Sequence, residues 1–462
     1  MPAMTQSLSR QLAQWVHQLR FEDLPPAVVD RACAATLQGL TSALLGSQFP
    51  DAQQALAIMK DDGAGPGNTS VLGHDVKLGR SAAAFVNTEM MVAGGKWDTF
   101  RLVVHPGSLV LPAALAIAEE TQCSGRQYLT AVAAGYEVAY RLAKDFVPTM
   151  MARGFHAGQV FGIFGAAVAA AKALDLTADQ IHVAIGQCVN LAAGNLEGGP
   201  KALHEGAVAR NGLLAAAIAR NGGAGGELSL EGEAGFYRTY AGTLGHPLRY
   251  SFNDSLHAEL SDVVADLGSQ WLFLETLFRI YSTPGYNIPH VEVTAQLCRR
   301  DNIQPEDVVS IECEVHWLET QYPSPAFPTR RNDAGPERER PHYYAAYGVL
   351  ERGFPLDKNV VRGVGEPDPP GLHDMMQRVR VTASHTRPLL APRITIFTRD
   401  GKLHTLEGTG REFALEFDAL ASKLAPLGPK LPIGAKGYAD LATECKHLDQ
   451  AANVQRLISL MR

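Results

Sequence analysis

Residues 94–116, GGKWDTFRLVVHPGSLVLPAALA, place several ionisable side chains directly before an apolar helical pattern. The ordinary pKa of histidine is about 6.5, so His105 can donate or accept a proton at neutral pH. Lys96 and Arg101 can hold a carboxylate, arginine through two parallel hydrogen bonds. Taken alone, the stretch also fits a solvated loop in which Asp98 caps the following helix. Both a site wall and a plain capping loop remain open at this point.

Three further segments carry residues of the same chemical types. His156 precedes the glycine-rich helix start in ARGFHAGQVFGIFGAA, where converging main-chain N–H groups favour anions. Lys201 follows two glycines and a proline in NLEGGPKALHEGAVARNG, ahead of a helix of small residues. Arg279 lies in LFRIYSTPGYNIPHVEV, where the second part of the chain begins. A hydrogen-bonded helix-start histidine and a surface lysine are the plain structural alternatives.

The composition and the motifs argue against several classes of protein. The net charge of -7 is spread without long runs, which argues against a nucleic-acid surface. The glycine-rich stretches fit neither a phosphate loop nor a dinucleotide-binding turn, and nucleophile-elbow and zinc-protease motifs are lacking. The six cysteines include no C-x-x-C pair, which is typical of reduced, mostly buried thiols. With neither a signal-peptide pattern nor an apolar run of about 18 residues, we expect a cytoplasmic protein without membrane or nucleic-acid partners.

The chain is long enough for two domains. Its 462 residues, 46% hydrophobic and 19% charged, exceed what one compact core usually holds. The first half is a succession of Ala- and Gly-rich helical patterns, which predicts helices that approach one another closely. We predict a helical domain over 1–265 and a smaller α+β domain over 266–404. Periodicity does not decide whether the helical segment 405–462 returns to the first domain.

The strands of the smaller domain are predicted from alternation. Apolar and polar residues alternate in VVSIECEVHWL (308–318), RVRVTAS (378–384) and RITIFTRDGKLHTLEG (393–408), as they do in half-buried strands. Asp400 and Gly401 form a dipeptide that favours a tight hairpin turn. Helical patterns lie between these strands, so the expected composition of this domain is α+β.

Five segments, taken in order, resemble the MmgE/PrpD family. They are HPGSLVLPAALAIAEE, SGRQYLTAVAAGYEVAYRL, GFHAGQVFGIFGAAVAAAKALDL, the Lys201 loop with HEGAVARNG, and GGAGGELSLEGEAGF. That family includes 2-methylcitrate dehydratase, cis-aconitate decarboxylase and iminodisuccinate epimerase. The resemblance implies a mainly α fold, in which a large all-helical domain completed by 405–462 is joined to a smaller α+β lid domain. It also implies an active site in the cleft between the domains, a homodimer, and no metal or organic cofactor.

The resemblance assigns roles to the residues singled out above. His105 matches the histidine of the family's H-P segment, and His156 matches that of its G-F-H segment. Lys201 matches the lysine of the loop before the H-x-G helix. These three are the predicted catalytic residues. The predicted substrate-binding residues are Lys96, Asp98, Thr99, Arg101, Arg279 and Tyr344, with Tyr343 as the alternative for the lid's tyrosine.

One departure from the family lies in the opening stretch. Family members commonly carry an acidic D-F-D-D run before the threonine that Thr99 matches, and the first aspartate of the run lies in the active site. Counting back from His105 puts Gly95 at that position, with Trp97 and Asp98 at the later acidic positions. The missing carboxylate predicts a more anionic or differently shaped substrate, or a different reaction step.

The candidate residues fit proton transfer at the carbon next to a carboxylate, which requires an acid, a base and cations that stabilise enediolate charge. One of His105 and His156 would move the proton, while Lys201 and Arg279 would hold carboxylates. Dehydration of a 2-methylcitrate-like hydroxy-polycarboxylate is the first hypothesis. Decarboxylation or epimerisation of a di- or tricarboxylate develops the same charge and stays open. A homologue that binds a carboxylate without turnover is the remaining alternative.

Overall fold

The computed structural model describes residues 6–198, 203–331 and 340–462, and the chain divides into two compact units. The helical unit comprises Met1–Ser251, Ser255–Phe278 and Glu416–Arg462. The sheet unit comprises Phe252–Asp254 and Arg279–Leu415. The main divisions thus fall at 278/279 and 415/416, and the domain boundaries read from the sequence, at 265/266 and 404/405, stay a prediction.

The first part of the helical unit is a run of α-helices, several of them buried on most sides. They are α1 (Leu8–Gln18), α2 (Pro26–Gly46), α3 (Pro50–Asp61), α4 (Arg80–Gly94), α5 (Gly107–Thr121), α6 (Gly125–Ala143), α7 (Val147–Met151), α8 (Ala157–Ala173), α9 (Ala178–Leu191) and α10 (His204–Arg220). The central helix α8 is almost wholly apolar, in the manner of a helix that is surrounded by other helices.

Glycines allow pairs of these helices to meet with their backbones in contact. A Cβ on Gly135 of α6 would lie 2.6 Å from the carbonyl oxygen of Gly165 on α8. A Cβ on Gly94, the last residue of α4, would lie 1.9 Å from the carbonyl oxygen of Ser42 on α2. The predicted close approach of Ala- and Gly-rich helices is confirmed, and the contact at Gly94 fixes the place where α4 ends.

Two short strand pairs also belong to the helical unit. β1 (Pro66–Val71) pairs with β2 (Val76–Leu78), and β3 (Asp98–Thr99) pairs with β4 (Leu277–Phe278), both antiparallel. The sequence predicted an all-helical domain here, so these pairs are an addition to that prediction. The pair of β3 and β4 matters most, because β3 consists of two predicted substrate-binding residues.

The sheet unit combines one mixed sheet with helices. Its helices are α11 (Ile288–Arg300), α12 (Trp317–Thr320), α13 (Pro341–Leu350) and α14 (Leu372–Met376), and its strands are β5 (Val308–His316), β6 (Val379–Ser384), β7 (Arg393–Thr398) and β8 (Leu403–Glu407). The strand order is β6-β5-β7-β8, with β5 and β6 parallel and the other neighbours antiparallel. The hairpin at Asp400 and Gly401 is confirmed, and Gly401 has a φ of +83°, which glycine adopts without strain.

Three C-terminal helices belong to the helical unit, which takes in Glu416–Arg462. They are α15 (Phe417–Leu424), α16 (Gly434–Lys446) and α17 (Gln455–Ser459). The N–H of Phe417 donates to Asp30 Oδ2 on α2 at 2.9 Å, and the N–H of Gly73 donates to the carbonyl oxygen of Met461 at 2.8 Å. These bonds attach both ends of the segment to the first part of the chain.

The architecture, mainly α with a smaller α+β unit, confirms the predicted fold class. All six cysteines lie within the described ranges and are buried free thiols, as their spacing predicted.

Among the helices described, none combines the length and the apolar character that crossing a membrane requires.

Candidate active site

The end of α4 sets the direction of the loop that carries the predicted site residues. Gly95 follows the helix with a φ of +73°, and its N–H donates to the carbonyl oxygen of Val92 at 3.2 Å. A residue with a Cβ is disfavoured in this left-handed region, whereas glycine adopts it at little cost. Because Gly94 already touches α2, the chain leaves the helix here and enters the loop 96–106.

This loop is anchored at several points and is buried. Lys96 is 2% exposed, and its N–H donates to Ser42 Oγ at 3.0 Å. The indole N–H of Trp97 donates to the carbonyl oxygen of Val92 at 3.1 Å. Gln38 Nε2 donates in turn to the carbonyl oxygen of Trp97 at 2.8 Å. The alternative of a solvated loop is therefore wrong for this stretch.

Asp98 lies beside the start of α5 and stabilises that helix. Its Oδ2 accepts a hydrogen bond from the N–H of Gly107, the first residue of α5, at 3.1 Å. A carboxylate at this place satisfies an otherwise unpaired N–H group and the positive end of the helix dipole. Burial raises the pKa of Tyr136 well above its usual value, and the Asp98 carboxylate to which it is hydrogen-bonded raises that pKa further. Asp98 is thus engaged within the helical unit, and its contact with substrate stays a prediction.

Thr99 lies directly before a tight turn in the same loop, and Arg101 lies within that turn. Phe100 and Val104 donate their N–H groups to each other's carbonyl oxygens at 2.8 and 3.2 Å, which closes the turn. Thr99 precedes the turn and is 2% exposed. Arg101 lies within the turn at a φ of +53° and forms an ion pair with Glu275, with Nη2 and Oε2 3.4 Å apart. The substrate-binding roles of Thr99 and Arg101 stay predictions.

His105 and His156 come together at the starts of two helices. Their ring centroids are 6.3 Å apart, and both residues are buried. His105 shortly precedes α5, and His156 is the residue directly before α8, as the sequence predicted. A Cβ on Gly158 would lie 3.2 Å from His156 Cε1 and 3.4 Å from His105 Cδ2, so this glycine leaves room for both rings. Helix starts favour negative charge, so the arrangement suits an anion beside two groups that can transfer protons.

Each histidine is held in place by segments from elsewhere in the chain. The N–H of His156 donates to the carbonyl oxygen of Gly194 at 3.2 Å. The ring of His105 packs against the ring of Trp97 at a centroid distance of 5.2 Å. Ser108 Oγ lies 3.4 Å from the carbonyl oxygen of His105. The approach of the two rings is therefore a consequence of tertiary packing.

The space behind the loop is small. A cavity of about 10 Å³ is lined by residues that include Gln38, Lys96, Asp98, Ser108 and Tyr136. It has room for about one water molecule, so it is not a substrate pocket. A groove of about 630 Å³ lies near the start of α4, and its described lining contains none of the predicted site residues. Within the described ranges, no group of three His, Cys, Asp or Glu side chains is arranged to hold a metal ion.

Three predicted site residues, Lys201, Arg279 and Tyr344, are not among the described residues of the helical unit. Lys201 lies outside the described residues. Arg279 and Tyr344 belong to the sheet unit, where Arg279 donates to the carbonyl oxygen of Thr283 and Tyr344 packs against Phe354 at a centroid distance of 5.2 Å. The helical unit thus brings the two histidines and the loop between α4 and α5 together. The roles of the other three residues stay predictions.

Sequence reasoning missed two buried acids, one on α4 and one at the start of α10. Glu89 on α4 and Glu205 on α10 are 1% and 2% exposed, and Glu205 Oε2 accepts a hydrogen bond from Ser108 Oγ at 2.7 Å. A signal was present for Glu89, which is the one acid in the apolar helical pattern RSAAAFVNTEMMVAGG. Nothing in the local pattern marks Glu205, because its importance comes from the contact with α5.

The chain belongs to the MmgE/PrpD family, because residues 10–247 match the MmgE/PrpD N-terminal domain. The matched residues lie within the helical unit and include both histidines and the loop before α5. The family resemblance read from the sequence is confirmed.

The relatives of this chain include proteins named as cis-aconitate decarboxylases and one named as similar to them. The cis-aconitate decarboxylase-like protein oryM of Aspergillus oryzae is 33% identical over 223 residues, which cover 46% of each chain. The cis-aconitate decarboxylase of Aspergillus terreus strain NIH 2624 is 30% identical over 305 residues, 63% of this chain and 60% of that protein. The human cis-aconitate decarboxylase is 31% identical over 223 residues, 46% of each chain. The match thus spans between 46% and 60% of the length of these relatives.

Proposed function

We propose that the protein is an enzyme that decarboxylates an unsaturated tricarboxylate of the cis-aconitate type. The observation that carries the proposal is the approach of His105 and His156, whose ring centroids lie 6.3 Å apart at the starts of α5 and α8. The similarity to cis-aconitate decarboxylases, over between 46% and 63% of the chain, supports the choice of reaction.

Decarboxylation of such a substrate requires a proton donor and groups that hold the remaining carboxylates. When CO₂ leaves the CH₂–COO⁻ arm, the electron pair of the broken C–C bond forms a new C=C bond with the central carbon. The electrons of the former double bond then take a proton at the far carbon, which balances the reaction. In this proposal the imidazolium of His105 or His156 delivers that proton. The other histidine and Lys201 stabilise the carboxylates and the charge that develops between them.

Dehydration, the first hypothesis from the sequence, uses the same two histidines differently. It requires a base that removes a proton from carbon and an acid that protonates the leaving hydroxyl group. Decarboxylation removes no proton from carbon, so it requires one basic group fewer. Gly95 supplies no carboxylate where the family commonly has an aspartate, and this favours the reaction with fewer bases. The absence of that charge also lessens repulsion of a substrate with three carboxylates.

Proton NMR in D₂O tests the proposal on cis-aconitate, 2-methylcitrate, citrate and iminodisuccinate. We expect cis-aconitate to lose CO₂, to show a terminal CH₂= signal and to gain deuterium at the former alkene CH. Alkene formation from 2-methylcitrate alone would favour dehydration, and inversion of iminodisuccinate alone would favour epimerisation. If all four compounds remain unchanged while their signals broaden on binding, the protein is a carboxylate-binding homologue. Each of these last three outcomes overturns the proposal.

A further inference from the structure

A buried acid on α4 holds the first turn of α10. Glu89 Oε2 accepts a hydrogen bond from the N–H of Leu203, and Glu89 Oε1 accepts one from the N–H of Gly206, both at 2.6 Å. The first N–H groups of a helix have no partner within the helix, so a carboxylate that binds two of them fixes the helix start. A Cβ on Gly206 would lie 2.9 Å from Glu89 Oε1, so the glycine allows this close approach.

The residue that Glu89 holds has an unfavourable backbone conformation. Leu203 has a φ of +73° and a ψ of -7°, in the left-handed region that disfavours a leucine by roughly 1–2 kcal/mol. Such a residue persists where surrounding contacts fix it, and the bond to Glu89 is one of these contacts. Leu203 follows Lys201 by two residues in the sequence. Glu89 therefore fixes the chain shortly after the predicted catalytic lysine.

A second acid connects α10 with the loop of His105. Ser108 Oγ lies 2.7 Å from Glu205 Oε2 and 3.4 Å from the carbonyl oxygen of His105. Glu205 is 2% exposed, and its Oε1 has no hydrogen-bond partner among the described residues. Glu205 thus links the first turn of α10 to the start of α5 through Ser108.

The surroundings of Glu89 favour the protonated form of its carboxyl group. Burial raises the pKa of Glu89 to about 7, even though its two main-chain hydrogen bonds lower it. The charges that act on Glu89 from neighbouring helices are acidic, those of Glu205 on α10 and Asp51 on α3. Both charges raise the pKa of Glu89 further, because a nearby negative charge disfavours ionisation.

We propose that a protonated Glu89 and its neighbour Glu205 position the residues of the reaction site. Glu89 fixes the first turn of α10, and Glu205, through Ser108, fixes the loop that carries His105. The inference rests on the proposed function, since the site that the pair positions is the one assigned there. Neither acid is a catalytic residue in this account, because both act through the segments that they hold.

Steady-state kinetics of Glu89→Gln test the positioning role. Glutamine cannot hold the proton, and its NH₂ group faces a main-chain N–H that previously had an acceptor. We expect kcat to fall about tenfold or more while KM changes little, because misplaced reacting groups affect the chemical step most. A rise in KM of about tenfold with an unchanged kcat would contradict a role in positioning the reacting groups.

Glu119→Gln is the matched control. Glu119 on α5 is 4% exposed and accepts the N–H of Ser70 at 2.7 Å, so it too is a buried acid bound to the main chain. It lies near the far end of α5, roughly 16 Å along the helix from Ser108. We expect its kcat to stay near the wild-type value. Equal losses of kcat in both glutamine variants would overturn the proposal.

Infrared difference spectroscopy in D₂O tests the proton without any reaction. Subtracting the spectrum of Glu89→Gln from that of the wild type at about pH 6 should leave the C=O band of a protonated carboxyl group. Glu319 in the sheet unit, whose pKa burial raises to about 8, contributes equally to both spectra and cancels. If the band is missing, the proposed protonated state of Glu89 is wrong, whatever the substrate of the protein. If the band is present and the wild type is inactive, only the proposed function fails.

Two further variants keep the test decisive if Glu89→Gln does not fold. Glu89→Asp retains a carboxyl group on a shorter side chain, and Ser108→Ala removes the link between Glu205 and the loop of His105. We expect Ser108→Ala to lower kcat, and we expect the carboxyl C=O band to shift in Glu89→Asp, because the shorter side chain changes its hydrogen bonds. A wild-type kcat in Ser108→Ala would overturn the connection to His105.

Discussion

The two units bury ionisable groups in opposite ways. In the helical unit, both oxygens of Glu89 accept main-chain hydrogen bonds, and the neighbouring Glu205 is linked through Ser108 to the loop of His105. In the sheet unit, His290 on α11 is fully buried, and neither ring nitrogen has a hydrogen-bond partner among the described residues. Burial raises the pKa of Glu89 to about 7 and lowers that of His290 to about 3, so burial favours the neutral form of both groups.

The contrast separates a candidate site residue from a packing residue of the same type. His156 lies directly before α8, with its ring near that of His105. His290 lies inside α11, and the charge of His342 on α13 adds to the effect of burial in lowering its pKa. A histidine that remains neutral down to about pH 3 cannot supply a proton at neutral pH. The surroundings of a histidine, rather than its presence in a motif, therefore decide whether it fits proton transfer.

The largest expected effect separates His156, the candidate site residue, from His290, the packing residue. We expect His156→Ala to lower kcat about a hundredfold or more, the usual scale for a positioned acid or base. The matched variant His290→Leu replaces a buried imidazole with an apolar side chain of similar size, and its kcat should stay within about threefold of the wild type. Steady-state turnover of cis-aconitate compares the two variants. Near-wild-type turnover in His156→Ala would remove this histidine from the mechanism.

A second prediction concerns acid stability, which sharpens the contrast between Glu89 and His290. Below the ordinary histidine pKa of about 6.5, the unfolded chain takes up a proton that folded His290 does not accept until about pH 3. Its contribution to stability is therefore present above about pH 6.5 and is lost as the pH falls, by up to about 1.4 kcal/mol per pH unit. Glu89 acts in the opposite direction, because its contribution is lost as the pH rises from its ordinary pKa of 4.5 to about 7.

Urea unfolding at pH values between about 7 and 4 measures this effect. We expect His290→Leu to unfold with a smaller loss of free energy per pH unit than the wild type, and to equal or exceed wild-type stability at pH 7. The gain is expected because the substitution removes buried polar atoms that have no described partner. Parallel pH dependences in the two proteins would show that His290 is accessible to protons in the folded state.

Local signals were sufficient for the helix starts in the site. The H-P-G and F-H-A-G segments predict helices just after His105 and His156, and α5 and α8 begin at Gly107 and Ala157. The alternation in the second half likewise predicted the strands and the hairpin at Gly401, because strand periodicity and turn preferences act over a few residues. These features need no knowledge of which elements meet in space.

The long-range contacts could not be read from spacing. Arg101 was predicted to bind substrate because of its charge, and its ion pair with Glu275 depends on how β4 returns to β3. The burial of Lys96 depends on Ser42, which belongs to a helix that crosses α4. Glu205 gains its role from Ser108, far away in the sequence. Each of these contacts follows from tertiary packing, for which a single sequence has no local signal.

The smallest expected effects concern Gly95, where two substitutions separate the effect of backbone strain from the effect of charge. Gly95 has a φ of +73°, so Gly95→Ala and Gly95→Asp should both lower the free energy of unfolding by roughly 1 kcal/mol, the aspartate variant somewhat less. Only Gly95→Asp adds a carboxylate, at the position where the family commonly has an active-site aspartate. Repulsion should therefore raise its KM for cis-aconitate severalfold, while Gly95→Ala keeps a KM near the wild-type value. Thermal unfolding and steady-state kinetics on the two variants measure the two effects separately. If Gly95→Asp instead gains dehydration of 2-methylcitrate, the residue at this position selects the reaction as well as the charge of the substrate.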